Sequence, residues 1–245
     1  MESKFWICLL GIGCLFVTML ETETASGQEP IRAREVSRVL IIGDSISLGY
    51  TPYVASILKG RAEVVHNPGN AQHTGTGVEK IETWLQPGDW DLIHFNWGLW
   101  DLCYRHPDSK VAGKRDKERG ELTTSLHAYE QNLERLVERL KETGATLIWC
   151  ETTPVPEGEP GRHAGAAKKY NAIAEKIMKR HDIAINDLHG YALLKIDVIQ
   201  KPNDVHFTTE GRRYLAWTPV GGPAPDFHRL CRFAALPMAP ATENG

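Results

Sequence analysis

Cysteine is scarce in this chain, with five in 245 residues. Cys8 and Cys14 sit in an N-terminal apolar run, which leaves Cys103, Cys150 and Cys231. Three cysteines close at most one disulfide, which excludes a disulfide-built scaffold, and Cys150, inside an apolar strand pattern, reads as core. An excess of one charge is also lacking: the formal net charge is −3, which gives no reason to expect a nucleic-acid partner. The basic run Lys110 to Arg119 is interrupted by Asp116 and Glu118 and reads as a solvated loop. No GxGxxG follows a strand, and there is no P-loop and no HExxH; Gly75-Thr-Gly77 is a lone GxG. The histidines other than His206 are scattered without ligand spacing, so neither a metal site nor a cofactor is expected, and His73 and His94 read as ordinary polar or partly buried residues. No internal repeat is visible.

Long apolar runs are missing except for Phe5 to Leu20, and sixteen residues are short for a bilayer span. A short positive stretch precedes this run, and a polar segment with Ala25, Ser26 and Gly27 follows it. That order reads as a secretory signal peptide over 1–27, followed by a linker over 28–36. The chain is therefore expected to be secreted or periplasmic, with no stable membrane anchor after cleavage; the rival reading is an uncleaved anchor. At the other end, residues 217–245 turn abruptly to Pro and Gly and then show no sustained amphipathic pattern, so an irregular, poorly packed tail is expected.

What is present is alternation. Strand-like runs at Arg38–Ile42, Ala62–His66, Asp91–Asn96, Thr146–Glu151 and Ile183–Asn186 are separated mostly by helical patterns, which predicts an α/β domain over 37–216 with a parallel sheet covered on both faces. Tyr129, Leu133, Leu136, Val137 and Leu140 share one face of a long helix that Thr123 or Thr124 can cap and Gly144 can end; a second stripe runs from Ala167 to Ile177. Tyr104–Leu122 carries charge and glycine without periodicity, and Thr152–Arg162 is rich in Pro and Gly. Both read as loops bordering the carboxyl edge of the sheet, placed to shape a substrate pocket.

The stretch Arg38-Val-Leu-Ile-Ile-Gly-Asp-Ser45 ends a strand and opens a helix predicted over Ser47–Lys59. This puts Ser45 outside the carboxyl end of a strand and at a helix N-terminus, where ligands and developing negative charge are favoured. A plain helix cap is the alternative. Far along the chain, Asn203-Asp204-Val205-His206 brings a histidine and a carboxylate together on a short polar loop. A serine hydroxyl attacks well only when a histidine takes its proton, and that histidine needs a carboxylate to fix its tautomer.

Gly43-Asp44-Ser45, Asn67-Pro-Gly69-Asn70, Asn96-Trp-Gly98-Leu-Trp100-Asp101 and Asp204-Val-His206 occur in this order over about Arg38 to Tyr214. They resemble the four blocks of the SGNH (GDSL-type) hydrolases. The resemblance implies a flavodoxin-like three-layer sandwich with a five-stranded parallel sheet, a catalytic Ser45, Asp204 and His206, and oxyanion or substrate contacts from Gly69, Asn70, Gln72, Asn96, Gly98, Trp100 and Asp101. Three departures stand out. The family's aspartate position, three before the histidine, holds Asn203; Trp100 stands where the family has its oxyanion asparagine; and the second block's later glycine aligns with Gln72. Asn96 is the nearest substitute for the missing amide.

The expected function is a cofactor-free secreted serine esterase acting on small acyl, especially acetyl, esters, with Trp97 and Trp100 offered to a sugar ring. The partner expected is a small-molecule or carbohydrate ester. The alternative is a carbohydrate-binding pseudo-enzyme that has lost its oxyanion machinery, and a flavodoxin-like nucleotide binder is a third reading that the missing phosphate loop disfavours.

Overall fold

A computed structural model describes residues 37–218. The leader 1–27, the linker 28–36, Cys231 and the tail from 219 lie outside the described residues. Five strands form one parallel sheet: β1 (Ser37–Ile42), β2 (Ala62–His66), β3 (Leu92–Phe95), β6 (Thr146–Cys150) and β7 (Ala184–Asn186), in the order β2-β1-β3-β6-β7. Each lies within a residue or two of the run that the apolar pattern predicts. The central strands β1 and β3 are buried almost throughout, as expected of strands with helices on both faces.

The main helices are α1 (Ser45–Ile57), α2 (Thr74–Leu85), α3 (Leu126–Lys141) and α4 (Ala166–Arg180), with the shorter α5 (Leu188–Leu193), α6 (Ile196–Ile199) and α7 (Thr209–Ala216) after the last strand. α1 packs on α7, while α2, α3 and α4 pack in series, giving the two helical layers. In α3 the predicted stripe Tyr129, Leu133, Leu136, Val137 and Leu140 is fully buried. Its cap, however, is Ser125, whose hydroxyl accepts from the Ala128 N–H. Thr123 is turned to the Cys103 carbonyl instead. Cys103 and Cys150 are both buried free thiols. Among the described residues no helix is long and apolar enough to cross a membrane.

The Tyr104–Leu122 loop is less irregular than its sequence suggests. A two-stranded antiparallel ribbon, β4 (Tyr104–Arg105) with β5 (Glu121–Leu122), closes its base, and a single Arg105–Arg115 bridge folds the tip back. The ribbon ties to the Pro- and Gly-rich segment through Tyr104 N–H to the Gly161 carbonyl (2.7 Å) and Lys117 N–H to the Pro160 carbonyl (2.8 Å). Two segments without hydrophobic periodicity therefore brace each other above the carboxyl edge of the sheet.

Candidate active site

The helix that follows β1 begins at Ser45 itself, so the capping residue is Asp44. Its buried carboxylate accepts from the Ile46 N–H at 2.9 Å. Burial raises the Asp44 pKa, partly offset by that hydrogen bond and by the Arg162 and His206 charges. With Asp44 taking the cap, the Ser45 side chain is released from that duty. The turn is held from the next strand: Asn67 Oδ1 accepts from the Gly43 N–H (2.9 Å), and the Ala71 N–H donates to the Gly43 carbonyl (3.0 Å).

Ser45 Oγ lies 2.9 Å from His206 Nε2, and His206 Nδ1 lies 2.7 Å from Asp204 Oδ1. The same Oδ1 also accepts from the His206 backbone N–H at 3.2 Å. The imidazole is steadied by its neighbours, because Val205 and Phe207 are each 2% exposed and anchor the loop in the core. Lys201 N–H donates to the His206 carbonyl and Thr208 caps α7. Asp204 is a third exposed. Burial alone would raise its pKa, but hydrogen bonds from His206 and the Arg115 charge outweigh it and hold the carboxyl below its ordinary value. Asn203 takes no part in this chain of contacts. It sits in the left-handed region at φ 56°, exposed, against Gly158.

Ser45 and His206 open into a cleft of about 290 Å³ that is also lined by Asn70, Trp100, Arg105, Arg115 and Arg162. Of the residues that the resemblance assigns to the oxyanion or substrate, only Asn70 and Trp100 line it. Asn70 Oδ1 accepts from the Gln72 N–H at 2.8 Å, which orients the amide and leaves its NH₂ as donor. It also occupies the N–H that the resemblance assigns to Gln72, whose φ of 54° is that of a glycine position. The Ser45 backbone N–H, in the first turn of α1, has no acceptor within the helix.

The other assignments need correcting. Asn96 donates its side-chain amide to the Cys150 carbonyl at 2.6 Å and borders a separate, much smaller void beside Tyr50, so it does not face the cleft. The β3 backbone turns that side chain across the strand ends toward β6. Asp101 is fully buried and accepts from the Thr74 N–H (2.9 Å) and hydroxyl (2.6 Å), tying down the start of α2. Burial pushes its pKa up to about 6. Gly98, at φ 148°, is needed because any Cβ there would collide with the Thr152 side chain. Gly69 is exposed with open space around it. Trp97 is 1% exposed, stacks on Trp84 and donates to the Ala71 carbonyl, so it is core and unavailable to a sugar.

Sequence reasoning missed the arginines. The run Lys110–Arg119 was expected to be solvated, yet Arg115 reaches inward to pair with Glu159 at 2.7 Å and comes within 4.0 Å of Asp204. Arg162 donates to the Leu99 carbonyl (2.6 Å) and to Glu159 (2.8 Å). The available signal was the concentration of Arg and Glu in two segments flanking the same sheet edge. Among the described residues no group of three or more His, Cys, Asp or Glu side chains is gathered to hold a metal ion.

Comparison with known proteins bears on the family and the fold. The sequence profile of the GDSL-like lipase/acylhydrolase family matches residues 41–214. The fold is similar to that of Axe2, an acetylxylan esterase from Geobacillus stearothermophilus (17% identity, 83% of this chain and 98% of that one, TM-score 0.61). It is also similar to a lipase/acylhydrolase from Enterococcus faecalis (16% identity, 75% and 93%, TM-score 0.60), and to the acetyl xylan esterase AlAXEase (16% identity, 74% and 96%, TM-score 0.59). No curated protein matches the chain. With the profile spanning most of its length, the chain belongs to the GDSL-like lipase/acylhydrolase family.

Proposed function

We propose that this protein is a secreted or periplasmic serine esterase that removes small acyl groups, acetyl foremost, from a carbohydrate or similar alcohol. The observation that carries the reading is the unbroken contact series Ser45–His206–Asp204, at 2.9 and 2.7 Å, opening into a cleft of ligand size. With Nδ1–H donated to Asp204, the Nε2 lone pair of His206 faces the Ser45 hydroxyl. Ser45 Oγ attacks the ester carbonyl as its proton passes to Nε2. The tetrahedral intermediate collapses to an acyl-enzyme, and His206 returns the proton to the departing alkoxide. Water, deprotonated by the same nitrogen, then attacks the acyl-enzyme, releasing the acid and restoring Ser45.

The oxyanion is held by the Ser45 N–H, favoured by the α1 N-terminus, and by the Asn70 amide, which replaces the donor absent at Trp100. Two of the similar structures are named acetyl xylan esterases, which supports an acetylated sugar as substrate. Trp100 contributes a wall, one indole face of which is covered by Arg105, with its guanidinium carbon 4.3 Å from the ring centre. The N-terminal pattern of a signal peptide supports export.

Turnover of p-nitrophenyl acetate tests the proposal, with Ser45→Ala as control. Because Asp44 and not Ser45 caps α1, the substitution is expected to leave the melting temperature unchanged and abolish turnover. An Ser45→Ala protein as active as wild type refutes the nucleophile. A wild type inactive on every ester leaves the carbohydrate-binding reading.

A further inference from the structure

The cleft beside Ser45 is lined by three guanidinium groups, Arg105, Arg115 and Arg162, and the carboxylates near them are already committed. Glu159, fully buried, shares one oxygen between Arg115 and Arg162 and accepts from the Gly161 N–H with the other (2.7 Å). Asp204 is held by His206, with Arg115 at 4.0 Å, and Asp44 is turned to its own helix. Arg105 differs from the other two. Among the described residues it forms no ion pair with a carboxylate; it donates through Nη1 to the Gly113 carbonyl, and its guanidinium carbon lies over the Trp100 ring, 4.3 Å from the ring centre. A guanidinium stacked on an indole is fixed in plane by cation–π attraction, and its unused N–H edge fits an oxyanion in the fork geometry that lysine cannot match. Half-burial, with the neighbouring Arg162 and Arg115 charges, lowers the Arg105 pKa from its ordinary value, partly offset by Cys103 and Glu159.

Resting on the esterase reading, the geometry points to a substrate that itself carries an oxyanion, a carboxylate or a sulfate, seated on Arg105 over Trp100 while its ester reaches Ser45. An acylated acidic sugar is the class that fits: a cleft of about 290 Å³ holds roughly one such ring. The acyl transfer is unchanged, and the anion takes no part in bond making. Arg105 is here a specificity residue, set on the β4 ribbon whose base is tied to the 160–161 segment.

The test compares kcat/KM on three mono-acetylated sugars of matched acetyl position: methyl glucoside, methyl glucuronoside and methyl glucoside 6-sulfate. Wild type is expected to prefer at least one anionic sugar over the neutral one by about 10- to 100-fold, mainly through KM, with the preference weakening as salt is raised. The better of the two anionic arms identifies carboxylate or sulfate. Arg105→Gln is expected to bring the ratio close to one and Arg105→Lys to hold an intermediate ratio, with circular dichroism showing that both are folded. Equal efficiency on all three sugars, or a ratio that survives in folded Arg105→Gln, overturns the inference. If neither p-nitrophenyl acetate nor any sugar ester turns over, the esterase reading fails separately. Calorimetry with methyl glucuronoside, methyl glucoside 6-sulfate and methyl glucoside then decides the anion site: tighter binding of an anionic sugar, lost in Arg105→Gln, supports it, and its absence overturns it.

Discussion

Replacing Asp204 by asparagine keeps the size of the group that meets His206 Nδ1 at 2.7 Å but removes its charge. When His206 accepts the Ser45 proton, an imidazolium forms about 4 Å from the carboxylate charge, a pair worth roughly 1 kcal/mol in water and roughly 4 kcal/mol at an effective dielectric of 20. Asp204 is 33% exposed, so the effect falls between these limits, near 2–3 kcal/mol, or about 10²-fold in rate. The asparagine can also present its NH₂ and impose the wrong tautomer, a defect that in serine proteases brings the total to roughly 10⁴. Asp204→Asn is therefore expected to lower kcat on p-nitrophenyl acetate by about 10²–10⁴, with KM little changed. The control is Asn203→Gly, because the left-handed φ of 56° at Asn203 suits glycine. It should leave kcat within a factor of about three, since a surface change away from the reacting groups is usually small. A variant pair in which Asn203→Gly loses as much kcat as Asp204→Asn, or in which Asp204→Asn keeps more than about a tenth of wild-type kcat, would refute the argument.

Other outcomes follow from the same contacts. Asn70→Ala is expected to lower kcat by about 10²–10³ with little change in KM, as loss of an oxyanion donor does, while Trp100→Ala mainly raises KM; a kinetically silent Asn70→Ala would remove the amide from the oxyanion site. Asn96→Ala leaves the Cys150 carbonyl unpaired and is expected to cost about 1–3 kcal/mol in urea unfolding while kcat holds. Glu159→Gln takes the charge from between Arg115 and Arg162 and should destabilise the fold by about 3–5 kcal/mol, read as a lower urea midpoint; an unchanged midpoint would count against it. His94 is 2% exposed with Nδ1 unpaired, and burial lowers its pKa from 6.5 to about 4. The unfolded chain takes up a proton below pH 6.5 that the folded chain refuses until about pH 4, so this contribution to stability is complete above 6.5 and lost as pH falls. At 1.36 kcal/mol per pH unit the loss approaches 3 kcal/mol at pH 4. Urea midpoints measured from pH 7 to pH 4 should fall less steeply in His94→Gln than in wild type, and parallel curves would assign the acid sensitivity elsewhere.

The sheet was legible in the sequence because each strand is a short, largely apolar run ended by polar or glycine residues, and two of the covering helices carry clear stripes, Tyr129 to Leu140 and Ala167 to Ile177. Burial of local patterns is a local property, so strand bounds could be read without knowing the neighbours. The need for crossovers between parallel strands limits the possible orders, and the structure selects β2-β1-β3-β6-β7 among them. Ser45 and His206, 161 positions apart, were legible as partners only because chemistry requires a base for a serine and the sheet collects its strand ends on one edge.

Side-chain direction at the strand ends was decided by the tertiary structure. Asn96, Gly98, Asp101 and Trp97 occupy a block whose sequence suggests a site, yet Asn96 turns to β6, Asp101 to the start of α2 and Trp97 into the core. Past the end of a strand the pleat no longer dictates alternation, and which neighbour satisfies a buried polar group depends on elements far away in sequence. The same holds for Arg115, which reads as part of a solvated run, and for Glu159 and Arg162, which lie in a segment legible only as a loop, until two loops without periodicity fold over each other and enclose them. The sequence by itself determined the layers and the serine, histidine and aspartate that meet at their edge; long-range packing decided which polar groups line the cleft, because charge and hydrogen-bonding capacity carry no periodicity from which burial can be read.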